Sequence, residues 1–227
     1  MTPGIIAIDI ETENTGYDIR KDNKRIISIQ LLERSNAKIY YEGGSSVDLI
    51  AAKNKLFSLI RDGSNFLGFN IKEFDVPLIR EFLGVEIPTT QIIEITEIPA
   101  MEFVRQELQR NKPRLEEACK LLGIDCAHKE IMTERAGKFR QLPHVINKAK
   151  EGASKFQNER GWDYVFSFDY ALDKICGGMA ILEAFNEFVE RKGDITSDFY
   201  KYAIGDVKIE NELFLKLKEI EKRNSFP

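Results

Sequence analysis

The stretch IIAIDIETE at residues 5–13 most restricts how this chain can fold. Its four leading aliphatic residues, Ile5 to Ile8, are typical of a strand that is buried on both faces. Asp9 and Glu11 continue this strand two residues apart, so both side chains point to the same face. Two neighbouring carboxylates in a partly buried position repel each other unless a cation neutralises them. The stretch therefore indicates a cation-binding position at the end of a buried strand.

A second acidic position follows a short apolar strand in GFNIKEFDVPLI, residues 68–79. This strand delivers Asn70, and Asp75 comes two residues before Pro77, a residue that favours the first turn of a helix. Asp75 is therefore expected at or just before a helix start, close to where a strand leaves the sheet. A helix-capping role explains this stretch alone equally well.

The third stretch is YKYAIGDVK at residues 200–208, where a helix is predicted. Tyr202 and Asp206 are four residues apart and therefore share one helix face. Core packing is an alternative explanation of this pair when it is taken alone. Solvated charges at a strand end are the corresponding alternative for Asp9 and Glu11. Taken together, the stretches predict converging carboxylates, a ligand set that favours Mg²⁺ or Mn²⁺ over zinc. Two such ions about 3.5–4 Å apart are suited to phosphodiester hydrolysis.

The order of elements predicts an α/β fold. Strands are predicted early, strands and helices alternate in the middle, and helices dominate late, which indicates a mixed sheet covered by helices. The pair Gly177 and Gly178 suggests a break in the first of the two long helices near the C-terminus. The predicted helices are 45–63, 76–84, 112–123, 169–193 and 196–222.

Length and composition favour one large domain or a domain with a subdomain, and a single domain is predicted to span residues 1–227. The N-terminus lacks a signal-peptide pattern and no apolar run reaches about 18 residues, so a cytoplasmic protein without a membrane partner is expected. A net charge of −4 argues against nonspecific coating of nucleic acid, although local contacts with it remain compatible. The three cysteines are expected to be reduced thiols, with a zinc site from Cys119, Cys126 and His128 as an alternative.

The segment 125–168 is predicted to be a basic and aromatic insertion. Between Lys129 and Arg160 it carries eight basic and four acidic residues, interspersed with aromatic ones. Cations and rings in this mixture suit a single nucleic-acid strand, and Lys148 and Lys150 are expected to contribute to its binding. Docking of the aromatic rings onto the protein core is an equally good explanation.

The three acidic stretches together resemble the motifs of the DEDD 3′–5′ exonucleases. D-x-E stands at residues 9–11, N-x-x-x-F-D at 70–75 and Y-x-x-x-D at 202–206. The tyrosine is similar to that of the DEDDy branch, which includes proofreading domains of DNA polymerases. FNIKEFDVPLIREF looks most like the second motif of the family B proofreading domains.

This resemblance implies a ribonuclease-H-like fold with a central mixed β-sheet and two bound Mg²⁺ or Mn²⁺ ions. It also implies that Asp9, Glu11 and Asp206 hold one ion, that Asp9 bridges to the second, and that Asp75 is a ligand through water. Tyr202 would orient the attacking water, because its high pKa makes it a poor base at neutral pH.

By the same resemblance, Asn70 and Phe74 would line the pocket for the terminal nucleotides. The backbone at Thr12 and Glu13 would approach the 3′-terminal sugar. The implied activity is removal of nucleotides from the 3′ end of single-stranded DNA, with replication or repair proteins as partners. An exoribonuclease that trims RNA is one alternative, and a non-catalytic nucleic-acid-binding module is another.

Overall fold

The strands of the protein form one mixed sheet. They are β1 (Ile5–Thr12), β2 (Ile26–Glu33), β3 (Asn36–Tyr41), β4 (Asn65–Gly68) and β5 (Ile92–Glu94). The sheet order is β3-β2-β1-β4-β5, in which β1 and β4 are parallel, β4 and β5 are parallel, and β2 and β3 are antiparallel. The computed structural model describes residues 4–18 and 22–224, so the first residues of the stretch inspected for a signal peptide lie outside it.

Helices connect the strands and make up most of the C-terminal half. They are α1 (Leu49–Arg61), α2 (Asp75–Leu83), α3 (Met101–Leu108), α4 (Leu115–Leu121), α5 (His128–Gly137), α6 (Pro143–Arg160), α7 (Tyr164–Glu190) and α8 (Asp198–Asn224). Short 3-10 helices lie at Thr89–Gln91 and Ile95–Glu97. The predicted α/β class is therefore confirmed, with a five-stranded mixed sheet flanked by helices. Within residues 4–18 and 22–224, no helix has the length and apolarity that crossing a bilayer requires.

The chain divides into two compact units. The first contains Met1–Ile10, Ser28–Ala127 and Ala203–Pro227, and the second contains Glu11–Ile27 and His128–Tyr202. The division passes through β1 and α8, each of which is one continuous element. The single exonuclease domain with an insertion at 125–168 stays a prediction.

The core of the first unit forms where helices pack on the sheet. Ala7 of β1 and Leu67 of β4 are almost fully buried and belong to one apolar cluster with Val207 and Leu213 of α8. The periodicity of α8 explains this packing, because its buried apolar residues recur at helical spacing. Strand β1 is buried along most of its length, as its aliphatic sequence predicts.

The core of the second unit includes a cluster of aromatic rings around Phe156. Phe156 of α6 is 1% exposed, and its ring centroid lies 5.7 Å from that of Tyr17, 5.4 Å from that of Trp162 and 5.6 Å from that of Tyr170. Edge-to-face and tilted geometries of this kind are the favoured arrangements of aromatic pairs. Phe139, Trp162 and Phe168 also pack against this core, whereas Tyr164 and Phe166 are exposed, so docking onto the core accounts for four of the six Phe, Tyr and Trp rings of the segment 125–168.

Arg135 links helices of the second unit through hydrogen bonds. Arg135 of α5 donates hydrogen bonds to Glu187 of α7 (2.6 Å) and Asp198 of α8 (2.8 Å), and also to Glu183 (3.1 Å). The hydrogen bonds that Arg135 donates to Glu187 and Asp198 raise the pKa of Arg135 above its ordinary value. The fork of guanidinium donors suits such a convergence of carboxylates.

Helix α7 is continuous, so the suggested break at Gly177 and Gly178 is wrong. A Cβ at Gly178 would lie 1.7 Å from the carbonyl oxygen of Asn14, whereas one at Gly177 would meet nothing within 4 Å. Gly178 is therefore required by the close approach of another backbone and does not mark a helix end.

Candidate metal centre

Strand β1 presents two acids on one of its faces. The side chains of Ile8 and Ile10 are buried, while Asp9 is half-buried and Glu11 is 8% exposed. Asp9 and Glu11 share a face, opposite that of Ile8 and Ile10, because side chains of an extended chain alternate between the two faces of the sheet, as predicted. Because β4 ends at Gly68, opposite the middle of β1, the acidic end of β1 extends beyond its parallel neighbour.

Helix α8 brings a third carboxylate to this position. Asp206, which is 5% exposed, offers an oxygen that lies within 4.8 Å of oxygens offered by Asp9 and Glu11. Almost 200 residues of chain separate Asp206 from β1, so only the folded chain can bring the three together. Three carboxylates at this separation repel one another strongly unless a cation lies among them.

The oxygen-only donor set fits a hard divalent ion better than zinc. Among the described residues, these acids are the one group of three or more metal-ligand side chains that the structure brings together. The alternative zinc site from Cys119, Cys126 and His128 is therefore not formed. Cys119 is instead buried in the apolar cluster of the first unit, and the three cysteines, all among the described residues, form no disulfide.

Asp75 is held against β1 but lies outside this group of three. It is the first residue of α2, as predicted, and its Oδ1 accepts a hydrogen bond from the backbone N–H of Ile10 (3.2 Å). Asp75 thus satisfies a backbone donor of β1 between the two acids of the strand, beyond the end of β4. The capping alternative is not supported, because Phe74 is the N-cap of α2, without a side-chain cap hydrogen bond, and the Asp75 carboxylate accepts from Ile10 instead.

Burial makes Asp75 a weak acid in the metal-free protein. Its side chain is 4% exposed, and desolvation, together with the nearby charge of Glu94, raises its pKa from 3.8 to about 7. The folded state therefore keeps a proton on Asp75 between about pH 4 and pH 7, whereas the unfolded state releases it.

We expect this proton to make the metal-free protein less stable as the pH rises. Between pH 5 and pH 8 the free energy of unfolding should fall by roughly 3 kcal/mol through Asp75 alone. Asp75→Asn keeps an oxygen for the Ile10 N–H and should remove this part of the slope. Urea unfolding in EDTA at both pH values measures it, with Glu86→Gln, an exposed acid, as the control. An unchanged slope in Asp75→Asn would contradict the assignment.

Tyr202 lies one turn before Asp206 on α8, as the four-residue spacing predicts. Its ring is half-buried, and Nζ of Lys129 lies 5.0 Å from the ring centroid. A cation over the ring face is an attractive contact that restrains the ring. No pattern in the sequence indicates this contact, because Lys129 and Tyr202 are distant in the chain.

The four residues expected to bind substrate have different surroundings. Thr12 donates from Oγ1 to Oδ1 of Asn23 (2.7 Å), while Glu13 forms salt bridges with Lys24 (3.0 Å) and Arg25 (2.8 Å). Hydrogen bonding from Lys24 is the main cause that lowers the pKa of Glu13. The backbone N–H of Glu13 already donates to the Arg25 carbonyl.

The other two substrate-binding candidates belong to the loop between β4 and α2. Asn70 is exposed and has a positive φ of 62°, which asparagine tolerates better than most residues. Phe74 is half-buried and immediately precedes α2. Both residues stay predictions as contacts to a nucleotide.

Comparison with known proteins gives no family assignment. No family model matches the chain. No curated protein and no solved structure matches it either.

The two lysines expected to bind substrate differ in accessibility. Lys148 of α6 donates from Nζ to the carbonyl oxygen of Thr15 (2.7 Å), so it supports the segment that follows β1. Lys150 is exposed. Of this pair, Lys150 retains the freedom that a phosphate contact requires.

Sequence reasoning missed two buried acids near the candidate metal centre. Glu94, at the end of β5, is 6% exposed, and Glu210, one turn after Asp206, is 4% exposed. A single acid inside the apolar run IIEI was the available signal for Glu94, and the four-residue spacing from Asp206 was the signal for Glu210.

Proposed function

We propose that the protein is a metal-dependent 3′–5′ exonuclease that hydrolyses phosphodiester bonds at the 3′ ends of single-stranded DNA. The observation that carries this proposal is the meeting of Asp9, Glu11 and Asp206, whose carboxyl oxygens lie within 4.8 Å of one another. These are the acids that the resemblance to the DEDDy exonucleases singles out. A five-stranded mixed sheet flanked by helices is compatible with the ribonuclease-H-like fold that we propose with it.

The residues of the chain have distinct roles in this proposal. Asp9, Glu11 and Asp206 would hold a Mg²⁺ or Mn²⁺ ion, and Asp9 would also contribute to holding a second one. Asp75 contributes through water, and Tyr202 orients the attacking water by hydrogen bonding. When bound, the two ions supply activation of water and stabilisation of the charge that develops on the phosphate oxygens.

Protein environment supports these roles. Glu11, Asp75 and Asp206 are buried, and in such surroundings charge interactions are stronger than in water. The hydrogen bond from Ile10 fixes Asp75 beside the acids of β1, and packing of α8 fixes Asp206. Groups fixed before substrate arrives need no costly rearrangement during the reaction.

The proposal predicts stepwise shortening of a 5′-labelled single-stranded oligonucleotide in Mg²⁺ or Mn²⁺, and no shortening in EDTA. Each product should keep the 5′ label and lack nucleotides from the 3′ end. A matched RNA oligonucleotide in parallel tests whether the site admits a 2′-hydroxyl. Blocking the 3′ end with a phosphorothioate linkage serves as the control for direction.

Each outcome of this assay has a definite meaning. Faster shortening of RNA would replace DNA by RNA as the substrate and keep the same chemistry. Shortening that is equal in EDTA would contradict the proposed metal dependence. No cleavage of either polymer, with equal oligonucleotide binding with and without metal, would instead favour the non-catalytic binding module.

A further inference from the structure

The loop from Phe69 to Phe74 connects β4 to α2 and precedes Asp75, which accepts a hydrogen bond from the Ile10 N–H of β1. It leaves the sheet at Gly68, where a Cβ would lie 2.9 Å from Cβ of Ile71 and 3.2 Å from the carbonyl oxygen of Ile8. The backbone then turns through Asn70 at a positive φ. Such a loop needs partners for its backbone N–H groups, because its first half is packed against the sheet.

Glu94 accepts from two of these backbone N–H groups. Its register places it beside Gly68 at the end of β5, and its Oε1 accepts a hydrogen bond from the backbone N–H of Asn70 (2.9 Å). Its Oε2 accepts one from the backbone N–H of Lys72 (3.2 Å). Oε1 also accepts from the N–H (3.1 Å) and Oγ1 (2.8 Å) of Thr96. An ionised carboxylate is the side chain best able to accept at both ends in this way.

A second buried acid acts on the same loop. Oε1 of Glu210 on α8 accepts a hydrogen bond from the backbone N–H of Phe69 (3.2 Å). The N–H groups of Glu73 and Phe74 donate in turn to the carbonyl of Asn70 (both 3.0 Å), which leads the chain into α2. Hydrogen bonds to two buried carboxylates, those of Glu94 and Glu210, thus restrain the start of the loop. The conformation of the loop in turn determines the position of Asp75.

We propose that Glu94 is a positioning residue for the candidate metal centre. It fixes the loop between β4 and α2 in the one conformation that brings the Asp75 carboxylate to the Ile10 N–H. The inference rests on the proposed exonuclease function for its kinetic consequence, although its structural consequence can be measured separately. Hydrogen-bonded groups behind metal-site residues typically contribute 10–100-fold to metal affinity or activity.

The test uses Glu94→Ala and Glu94→Gln in the full chain, with Glu86→Gln as an exposed control. In Glu94→Ala the rate constant kcat on single-stranded DNA should fall about 10–100-fold. KM for the oligonucleotide should stay within about threefold, because the loop acts through Asp75 and the metal. Binding of Mn²⁺ alone, measured by electron paramagnetic resonance, should weaken several-fold.

Glu94→Gln sharpens the test, because an amide keeps one acceptor oxygen and gains a donor. The oxygen should remain with Asn70 and Thr96, where three donors converge, which turns the NH₂ group toward the Lys72 N–H. Hydrogen exchange measured by NMR should therefore speed up at the Lys72 amide and little at the Asn70 amide. In Glu94→Ala both amides should exchange faster, and activity should lie below that of Glu94→Gln.

The possible failures are separable. If the wild type cleaves DNA and Glu94→Ala has the same kcat, Mn²⁺ affinity and amide exchange as the wild type, only the positioning role is overturned. A wild-type protein that binds Mn²⁺ but cleaves nothing would remove the proposed reaction, while weaker Mn²⁺ binding in Glu94→Ala would still support positioning. Equal losses in Glu86→Gln would also overturn the role, since they would reflect carboxylate loss in general.

Discussion

Asp206→Ala is expected to slow 3′-end hydrolysis of single-stranded DNA by at least about a thousandfold, with Asp9→Ala behaving alike. A thousandfold corresponds to about 4 kcal/mol, within the several kcal/mol that a bound ion contributes to charge stabilisation. Asp206 is one of three acids whose oxygens lie within 4.8 Å of one another, so its removal takes away a third of that ligand set. Initial rates at saturating Mg²⁺ measure the effect.

The thermal stability of metal-free Asp206→Ala should not fall, although its activity does. Without metal, Asp206→Ala relieves repulsion among buried carboxylates, so its melting temperature in EDTA should equal or exceed that of the wild type. The wild type should gain stability as Mn²⁺ is added, and the variant should gain much less. Glu219→Ala is the matched control, because Glu219 is an exposed acid on the same helix. Full activity in Asp206→Ala would remove the basis of the proposed function.

Gly178→Ala is expected to destabilise the protein by about 3 kcal/mol or more, although alanine favours helices. A Cβ there would lie 1.7 Å from the Asn14 carbonyl oxygen and 2.9 Å from its carbon, and neither helix α7 nor this backbone can move without loss of packing. Because the chain around Asn14 continues directly from Glu11, displacement there should also weaken Mn²⁺ binding. Urea unfolding and Mn²⁺ titration measure the two effects.

The neighbouring residue provides the control for this second prediction. A Cβ at Gly177 meets nothing within 4 Å, so Gly177→Ala should stabilise α7 by about 0.5–1 kcal/mol through its higher helix propensity. Opposite changes in the free energy of unfolding for Gly177→Ala and Gly178→Ala would show that the close backbone approach, and not helix propensity, determines the effect at Gly178. Equal effects of the two variants would contradict the packing described for Gly178.

Local pattern was enough to predict several elements closely. The aliphatic run of β1, the apolar periodicity of α1 and the start of α2 at Asp75 are confirmed within a few residues. These elements have strong period-2 or period-3.6 patterns and clear end signals. The three-residue strand β5 and the separate helices within 125–168 were not predicted individually, because short elements carry little periodic signal.

The candidate site shows the same division between local and long-range information. Asp9 and Glu11 on one strand face, and Tyr202 and Asp206 on one helix, follow from spacing alone. The contact between Asp75 and Ile10 and the hydrogen bonds from Asn70 and Lys72 to Glu94 join segments with no pattern in common. Such contacts depend on how a loop packs, which a single sequence does not encode in any periodic form.

The sequence by itself determined which residues are acidic, which lie on a common strand or helix face, and that strands and helices alternate. Only the tertiary structure decided that Asp206 meets Asp9 and Glu11, that Asp75 stands apart from them on the Ile10 N–H, and that most aromatic rings of 125–168 are core. The physical reason is the distance along the chain over which each kind of interaction acts. Backbone periodicity acts over a few residues, whereas repulsion, desolvation and packing are set by every segment that folding brings into contact.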